Sequence, residues 1–141
     1  MLPGIYYMDG GGFSMTGQGN LFAEGVMIYS DPKTSSDAIS ISGSNGGSVT
    51  MTPPTSGTYK GLTLFQNRAA EQVMSISGNG NFHVTGTFYA ANALMNVTGN
   101  GAGEIGSQYV SRLLDINGGG GLGIDYNPDQ VIPRRVLGLV E

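Results

Sequence analysis

The stretch Met74–Asn92, MSISGNGNFHVTGTFYAAN, decides the fold that this sequence predicts. In Met74–Ser77 and again in Phe82–Thr85, apolar and polar residues alternate, which is the pattern of a half-buried β-strand. The four residues between them, 78–81, are glycines and asparagines, the residue types that let a chain turn a corner. The stretch therefore predicts a strand, a corner and a second strand.

The same pattern recurs along the chain. Three tetrapeptides match closely and two match more loosely: Ser14–Gly17 (SMTG), Ser40–Gly43 (SISG), Ser75–Gly78 (SISG), Asn96–Gly99 (NVTG) and Asp115–Gly118 (DING). A second strand headed by a glycine follows each of the first four, at Gly25, Gly61, Gly86 and Gly106. One unit carries an insertion at residues 53–60, PPTSGTYK. A repeat that keeps its strands and tolerates insertions at one corner is typical of a solenoid.

The fold predicted from this repeat is all-β. No long segment has the period of an amphipathic helix, and only Asn67–Gln72 has helix-like propensity, enough for one turn. Units of about 20 residues favour one domain over residues 1–141, a right-handed parallel β-helix of about five to six irregular rungs. An antiparallel β-sandwich is the alternative, because its short strands have a similar spacing.

Composition and charge exclude several classes of function. The 141 residues include 25 glycines and no cysteine, and six basic side chains against ten acidic ones give a net charge of −4. The chain therefore lacks the basic surface of a nucleic-acid-binding protein and the thiols of a disulfide or zinc–thiolate site. In this sequence we recognise no signal-peptide pattern and no apolar run of 18 or more residues, so we expect no membrane insertion by this segment. Because Met-Leu-Pro leads directly into a strand, we expect a domain excised from a longer protein.

A family resemblance covers nearly the whole chain. The segments that carry it are LPGIYYMDGGGFSMTG (2–17), EGVMIYSD (24–31), ISISG (39–43), PPTSGTYKGLTLFQNR (53–68), ISGNGNFHVTGTFYAANA (76–93) and VLGLVE (136–141). This succession resembles the glycine-rich β-helical domain of bacterial envelope proteins associated with tight-adherence (Flp-type) pili, of the TadE/TadG-like kind. The resemblance implies an extracytoplasmic, cell-surface or secreted module that is structural or adhesive, and it brings no catalytic residue. A fainter resemblance is to β-solenoid ice-binding domains.

The candidate outer-face binding residues are Thr50, Thr52, His83, Thr85 and Thr87. Threonines two residues apart in two units suggest outward threonine ladders, the surface that ice-binding solenoids present, although β-propensity alone also places threonine there. His83 is the only histidine and should point outward, and without a second histidine or a cysteine it cannot anchor an ordinary transition-metal site.

Other motifs do not predict a site. Residues Gly120–Asp125 match the start of the calcium nonapeptide, but the motif has no second copy to share the ion. The glycines at 118–121 lack the lysine and helix of a phosphate-binding loop. The acidic residues stand singly in loops and corners. We therefore expect no catalytic residue, no metal, no cofactor and no enzymatic activity.

Aromatic residues and chain ends predict contacts. The aromatic residues suffice for a stacked internal ladder, and one ring of each adjacent pair, such as Tyr6-Tyr7 or Phe88-Tyr89, must face outward, where it offers a carbohydrate or partner surface. The apolar strands Ile5–Met8 and Val136–Val140 leave both ends of a β-helix open to further pairing.

The expected function is a structural or adhesive module that associates end to end with neighbouring envelope or pilus-associated domains, or with itself into a homo-oligomer or filament. The alternative is an ice- or carbohydrate-binding β-solenoid.

Overall fold

The computed structural model describes residues 1–16, 19–43, 47–79, 81–100, 103–119, 122–124 and 126–132. In these residues the chain winds into a parallel β-solenoid of about five turns. The predicted all-β solenoid is therefore confirmed. The antiparallel sandwich is wrong, because every strand pair in the described part of the chain is parallel. The right-handed winding stays a prediction.

Each turn contributes three strand segments, which stack on the equivalent segments of the neighbouring turns. In chain order the strands are β1 (Gly4–Asp9), β2 (Phe13–Met15), β3 (Leu21–Ala23), β4 (Val26–Asp31), β5 (Ile39–Ser42), β6 (Val49–Met51), β7 (Leu62–Gln66), β8 (Met74–Asn79), β9 (Phe82–Val84), β10 (Thr87–Asn100), β11 (Gly103–Ile105), β12 (Gln108–Asn117) and β13 (Leu122–Gly123). The segments form three columns, of which the first begins with β1, the second with β2 and the third with β3.

The first and second columns belong to one sheet of eight strands. The two columns are joined into one sheet by β10 and β12, because each of these strands continues through the corner between the columns. The pairing of β10 with β12 shifts register between Ala90 and Leu94, which marks that corner. The third column is a separate sheet of five short strands in the order β13-β11-β9-β6-β3.

The five tetrapeptides of the sequence repeat stack in one register in the second column. Their apolar residues follow one another across the turns as Met15, Ile41, Ile76, Val97 and Ile116. Their small polar residues stand beside them as Ser14, Ser40, Ser75, Asn96 and Asp115. A one-residue slip would move every apolar side chain from the inside to the solvent, so burial fixes this register.

The core lies inside the coil. Its fully buried side chains include Ile28, Leu64 and Phe88 from the first column and Met51 and Val84 from the third. The first turn covers this core incompletely, since its inward side chains are only partly buried: Tyr6, Met8, Phe13, Met15 and Leu21.

Loops lie at the corners. Residues 32–38 form a loop. In the stretch Asn67–Gln72, where the sequence predicted helix-like propensity, residues 67–70 form a hydrogen-bonded turn and no helix, with Ala70 N donating to Asn67 O at 2.9 Å. The strand predicted at Val136–Val140 lies outside the described residues. Among the residues that are described, no helix has the length and apolar character needed to cross a membrane.

Candidate interaction surface

A column of four aromatic rings runs along the outer face of the first column of strands. Tyr7, Tyr29, Phe65 and Tyr89 occupy equivalent positions in four successive turns. Their ring centroids are 4.9, 4.9 and 4.8 Å apart, close to the spacing of paired strands. We call these four residues the aromatic column. Val110 takes the equivalent position in the last turn, opposite Tyr89.

This ladder lies outside, whereas the sequence suggested an internal one. Two of the inward rings, Phe88 and Tyr109, form an edge-to-face pair with centroids 5.5 Å apart. The signal was present in the sequence, because each ring of the aromatic column stands three or four residues after the glycine that heads its strand. Alignment of the units on those glycines would have found it.

Along the aromatic column the rings cover one another: Phe65 and Tyr89 are stacked with 7° between their planes, and the other two pairs are tilted by 41° and 32°. The exception is Tyr7, the terminal ring, which is 57% exposed and contacts Tyr29 on one face only among the described rings. At the other end, the guanidinium carbon of Arg68 lies 5.8 Å from the centroid of Tyr89. A planar group can therefore stack on the column at Tyr7.

A hydrogen-bonded network around Asp31 fixes Tyr7 from the side. The Asp31 carboxylate accepts bonds from Lys33 Nζ at 2.6 Å, from Asn67 Nδ2 at 2.8 Å and from the Tyr7 hydroxyl at 3.2 Å. Lys33 also forms an ion pair with Asp9 at 3.1 Å. The hydrogen bond from Lys33, followed by that from Asn67, lowers the pKa of Asp31, and the same bond raises the pKa of Lys33. Adjacent turns are thus joined by charge next to the aromatic column.

Three of the five candidate outer-face residues lie at least partly on the surface. Thr50 and His83 are neighbours in the third column, between Phe22 and Glu104. His83 Nδ1 lies 2.7 Å from Glu104 Oε2, and both side chains are about half exposed. Thr52 is partly buried at the following corner, where its hydroxyl accepts a bond from Gly25 N at 3.1 Å.

The other two candidates, Thr85 and Thr87, are buried. Thr85 is 3% exposed and Thr87 is fully covered. The Thr87 hydroxyl donates to Gln108 Oε1 at 3.0 Å and accepts from Ile132 N at 3.2 Å, because residues 131–132 cross the outside of this strand. The alternation of apolar and polar residues predicts which side chains of a strand point outward. It cannot show that a distant segment, here residues 131–132, packs over them. Thr50 therefore lies between Phe22 and His83 and not in a threonine row.

The first turn leaves an open edge. β1 pairs with β4 on one side and is the terminal strand of its sheet in the described part of the chain. Large apolar side chains at this end are exposed: Leu2 by 79%, Ile5 by 53% and Phe22 by 60%. We call β1 with these side chains the N-terminal edge.

No group of three or more histidine, cysteine or acidic side chains within the described ranges could hold a metal ion. Gly120, Gly121 and Asp125 of the calcium-like motif lie outside the described residues. No protein-family model, no curated protein and no solved structure matches the chain.

Proposed function

We propose that the protein is a non-enzymatic structural and adhesive module of the bacterial cell surface that associates through its N-terminal edge. The observation that supports this is β1, an edge strand that exposes Ile5 by 53% and Tyr7 by 57% and whose ring, Tyr7, ends the aromatic column. The resemblance to the domains of tight-adherence envelope proteins supports the extracytoplasmic location. The partners we propose are neighbouring envelope or pilus-associated domains or further copies of the chain.

The physical reason is the cost of an open sheet edge. Unpaired backbone groups and apolar side chains on an edge strand favour pairing with another strand. Proteins that must avoid such pairing place lysine, proline or a bulge on the edge. The strand β1, GIYYMD, has none of these residues and carries one charge, on Asp9 at its end. Its edge is therefore suited to accept a strand.

Ice binding and carbohydrate binding are the alternative functions, and the geometry favours them less. Ice-binding surfaces require rows of threonine, whereas Thr50 is flanked by Phe22 and His83. A sugar ring needs an exposed aromatic face, and in the aromatic column only Tyr7 offers one.

The test is sedimentation of the chain over a wide concentration range, with the variant Ile5→Lys. We expect the wild-type mass to rise with concentration, and the lysine to weaken association at least about tenfold, a difference of about 1.4 kcal/mol. The matched control is Val73→Lys, because Val73 is an exposed β-branched residue at 38% that lies away from both ends. A wild type that stays monomeric throughout, or an equal effect of both lysines, would contradict the proposal.

A further inference from the structure

We propose that the N-terminal edge binds the same edge of a second copy, so that two β1 strands pair antiparallel about a two-fold axis at Tyr7. This inference rests on the proposed function, since it names the partner of the edge. The product is a closed dimer, because an interface made by the same patch on both copies uses up that patch.

The backbone of β1 determines which residues can pair across the edge. Gly4 N donates to Gly25 O at 3.1 Å and Gly10 N donates to Asp31 O at 3.0 Å, so the even-numbered residues bond toward β4. Successive residues of a strand point their backbone groups to opposite sides. The N–H and C=O groups of Ile5, Tyr7 and Asp9 therefore face the open edge.

The side chains of β1 also separate into odd-numbered and even-numbered residues. The odd-numbered residues of β1 point outward and Tyr6 and Met8 point into the core, as their partial burial shows. Residues opposite each other in an antiparallel pair project to the same face of the sheet. Two conditions must hold: the backbone groups at the edge must form hydrogen bonds, and the outward side chains of both copies must lie on the same face. Only registers that place an odd-numbered residue opposite an odd-numbered residue meet both.

Such a register can be centred on any residue of β1, and the centre at Tyr7 pairs the most edge-facing residues, because only there do Ile5, Tyr7 and Asp9 all find their partners within β1. A centre at Ile5 places Tyr7 opposite Pro3, which has no N–H to donate. A centre at Asp9 places two carboxylates directly opposite each other, which is destabilising. A centre at Tyr7 avoids both faults, because it places Ile5 opposite Asp9 of the other copy. The structure therefore favours this register.

The register centred on Tyr7 also continues both layers of the solenoid. On the outside, the two Tyr7 rings meet and join the two aromatic columns into one stack, at a strand spacing that already suits rings 4.9 Å apart. On the inside, Tyr6 lies opposite Met8 of the other copy, a favourable sulfur–aromatic contact. The partly covered end of the core is then closed by an identical end.

The experiment uses single cysteines, which are informative because the chain has none of its own. Opposed residues of a hydrogen-bonded antiparallel pair have Cα atoms about 5.5 Å apart, within disulfide reach. Tyr7→Cys should form a covalent dimer under mild oxidation. Ile5→Cys and Asp9→Cys should each cross-link about fivefold less when alone, and should cross-link with each other when mixed, because their partners in the pair are each other.

The outcomes separate this inference from the proposed function. Thermal unfolding of reduced Tyr7→Cys, compared with the wild type, shows that the variant folds. Weak cross-linking of Tyr7→Cys together with disulfide-linked polymers of the double variant Tyr7→Cys/Val110→Cys would indicate head-to-tail stacking. That result would overturn the two-fold dimer and leave association through the edge intact. A wild type that remains monomeric in sedimentation would overturn both.

Discussion

Two sets of glycines serve different purposes in this solenoid. Gly25, Gly61, Gly86 and Gly106, which head the strands of the first column, have φ between 66° and 94°, where other residues are strained. Gly43 and Gly78, which end tetrapeptides of the repeat, have no left-handed φ. A Cβ atom would lie 2.8 Å from the Phe82 ring at Gly43 and 2.9 Å from it at Gly78. At Gly43 and Gly78, glycine is therefore needed because the Phe82 ring occupies the space that a side chain would take.

Gly78→Ala should therefore destabilise the protein through the Phe82 ring. Phe82 is 2% exposed and packed in the core, so the ring has little room to move. We expect a loss of about 1–3 kcal/mol in the free energy of unfolding, measured by urea denaturation. Part of the loss should be recovered in the double variant Gly78→Ala/Phe82→Leu, whose smaller side chain leaves room for the methyl group.

Gly19→Ala is the matched control for this prediction. Gly19 has no left-handed φ, and an added Cβ there would meet no atom within 4 Å. It should change stability by less than about 0.5 kcal/mol, as surface substitutions usually do. Equal effects of alanine at Gly19 and Gly78 would show that space at the corner is not limiting.

The sequence predicted the position of these glycines and not the reason for them. The tetrapeptide repeat placed a glycine after each inner strand, and Gly99 and Gly78 stand in register as that repeat requires. The corner was attributed to backbone freedom, because a sequence shows residue types and not the ring that fills a corner. Phe82 belongs to the following strand, so its contact with two turns depends on the coil itself.

At the scale of elements, the loop between β4 and β5 is held by one carboxylate. Asp37 is 8% exposed and accepts bonds from the backbone N–H groups of Lys33 and Thr34 at 2.9 and 2.8 Å. These bonds lower the pKa of Asp37 from its ordinary value of 3.8. The charged form therefore stabilises the folded state above the ordinary pKa, and this contribution is lost as the pH falls through the lowered one.

Asp37→Asn should make stability less sensitive to acid. The amide oxygen of asparagine can accept the same two bonds and does not titrate in this range. We expect the variant to be less stable than the wild type at pH 7, and the difference to shrink as the pH falls below about 4. Urea denaturation at a series of pH values measures it. Asp129→Asn, at a side chain 88% exposed, controls for the loss of one charge, and a difference that stays constant with pH would contradict the role of Asp37.

The sequence predicted the positions of strands better than the contacts between turns. The alternation in Ile39–Ser42 and Phe82–Val84 depends on the local chain, and both are strands as expected. The covering of Thr87 involves Ile132, 45 positions away, and the network of Asp31 includes Asn67, 36 positions away. Such contacts follow from the stacking of turns and cannot be read from one strand.

For the whole molecule, stacking implies that stability is shared between neighbouring turns. Each turn contacts mainly the turns before and after it, so a solenoid is stabilised by a sum of interfaces. Within the described residues, the first and last turns have one neighbouring turn where the middle turns have two. The burial of the second column follows this rule: Ile41 and Ile76 are each 1% exposed, whereas Ile116 in the last described turn is 45% exposed.

The same substitution in one column should therefore cost less at an end than in the middle. We expect Ile76→Ala to lower the free energy of unfolding by about 2–5 kcal/mol, since it opens a cavity between two covered turns. Ile41→Ala should behave like Ile76→Ala, and Ile116→Ala should cost less than about 1 kcal/mol because its side chain is already largely hydrated. Urea denaturation ranks the three variants. Native-state hydrogen exchange should show the same gradient, with amides of β12 exchanging before those of β8. Equal costs at Ile76 and Ile116 would mean that the last turn is covered in solution, and the stacking of turns would then continue beyond it.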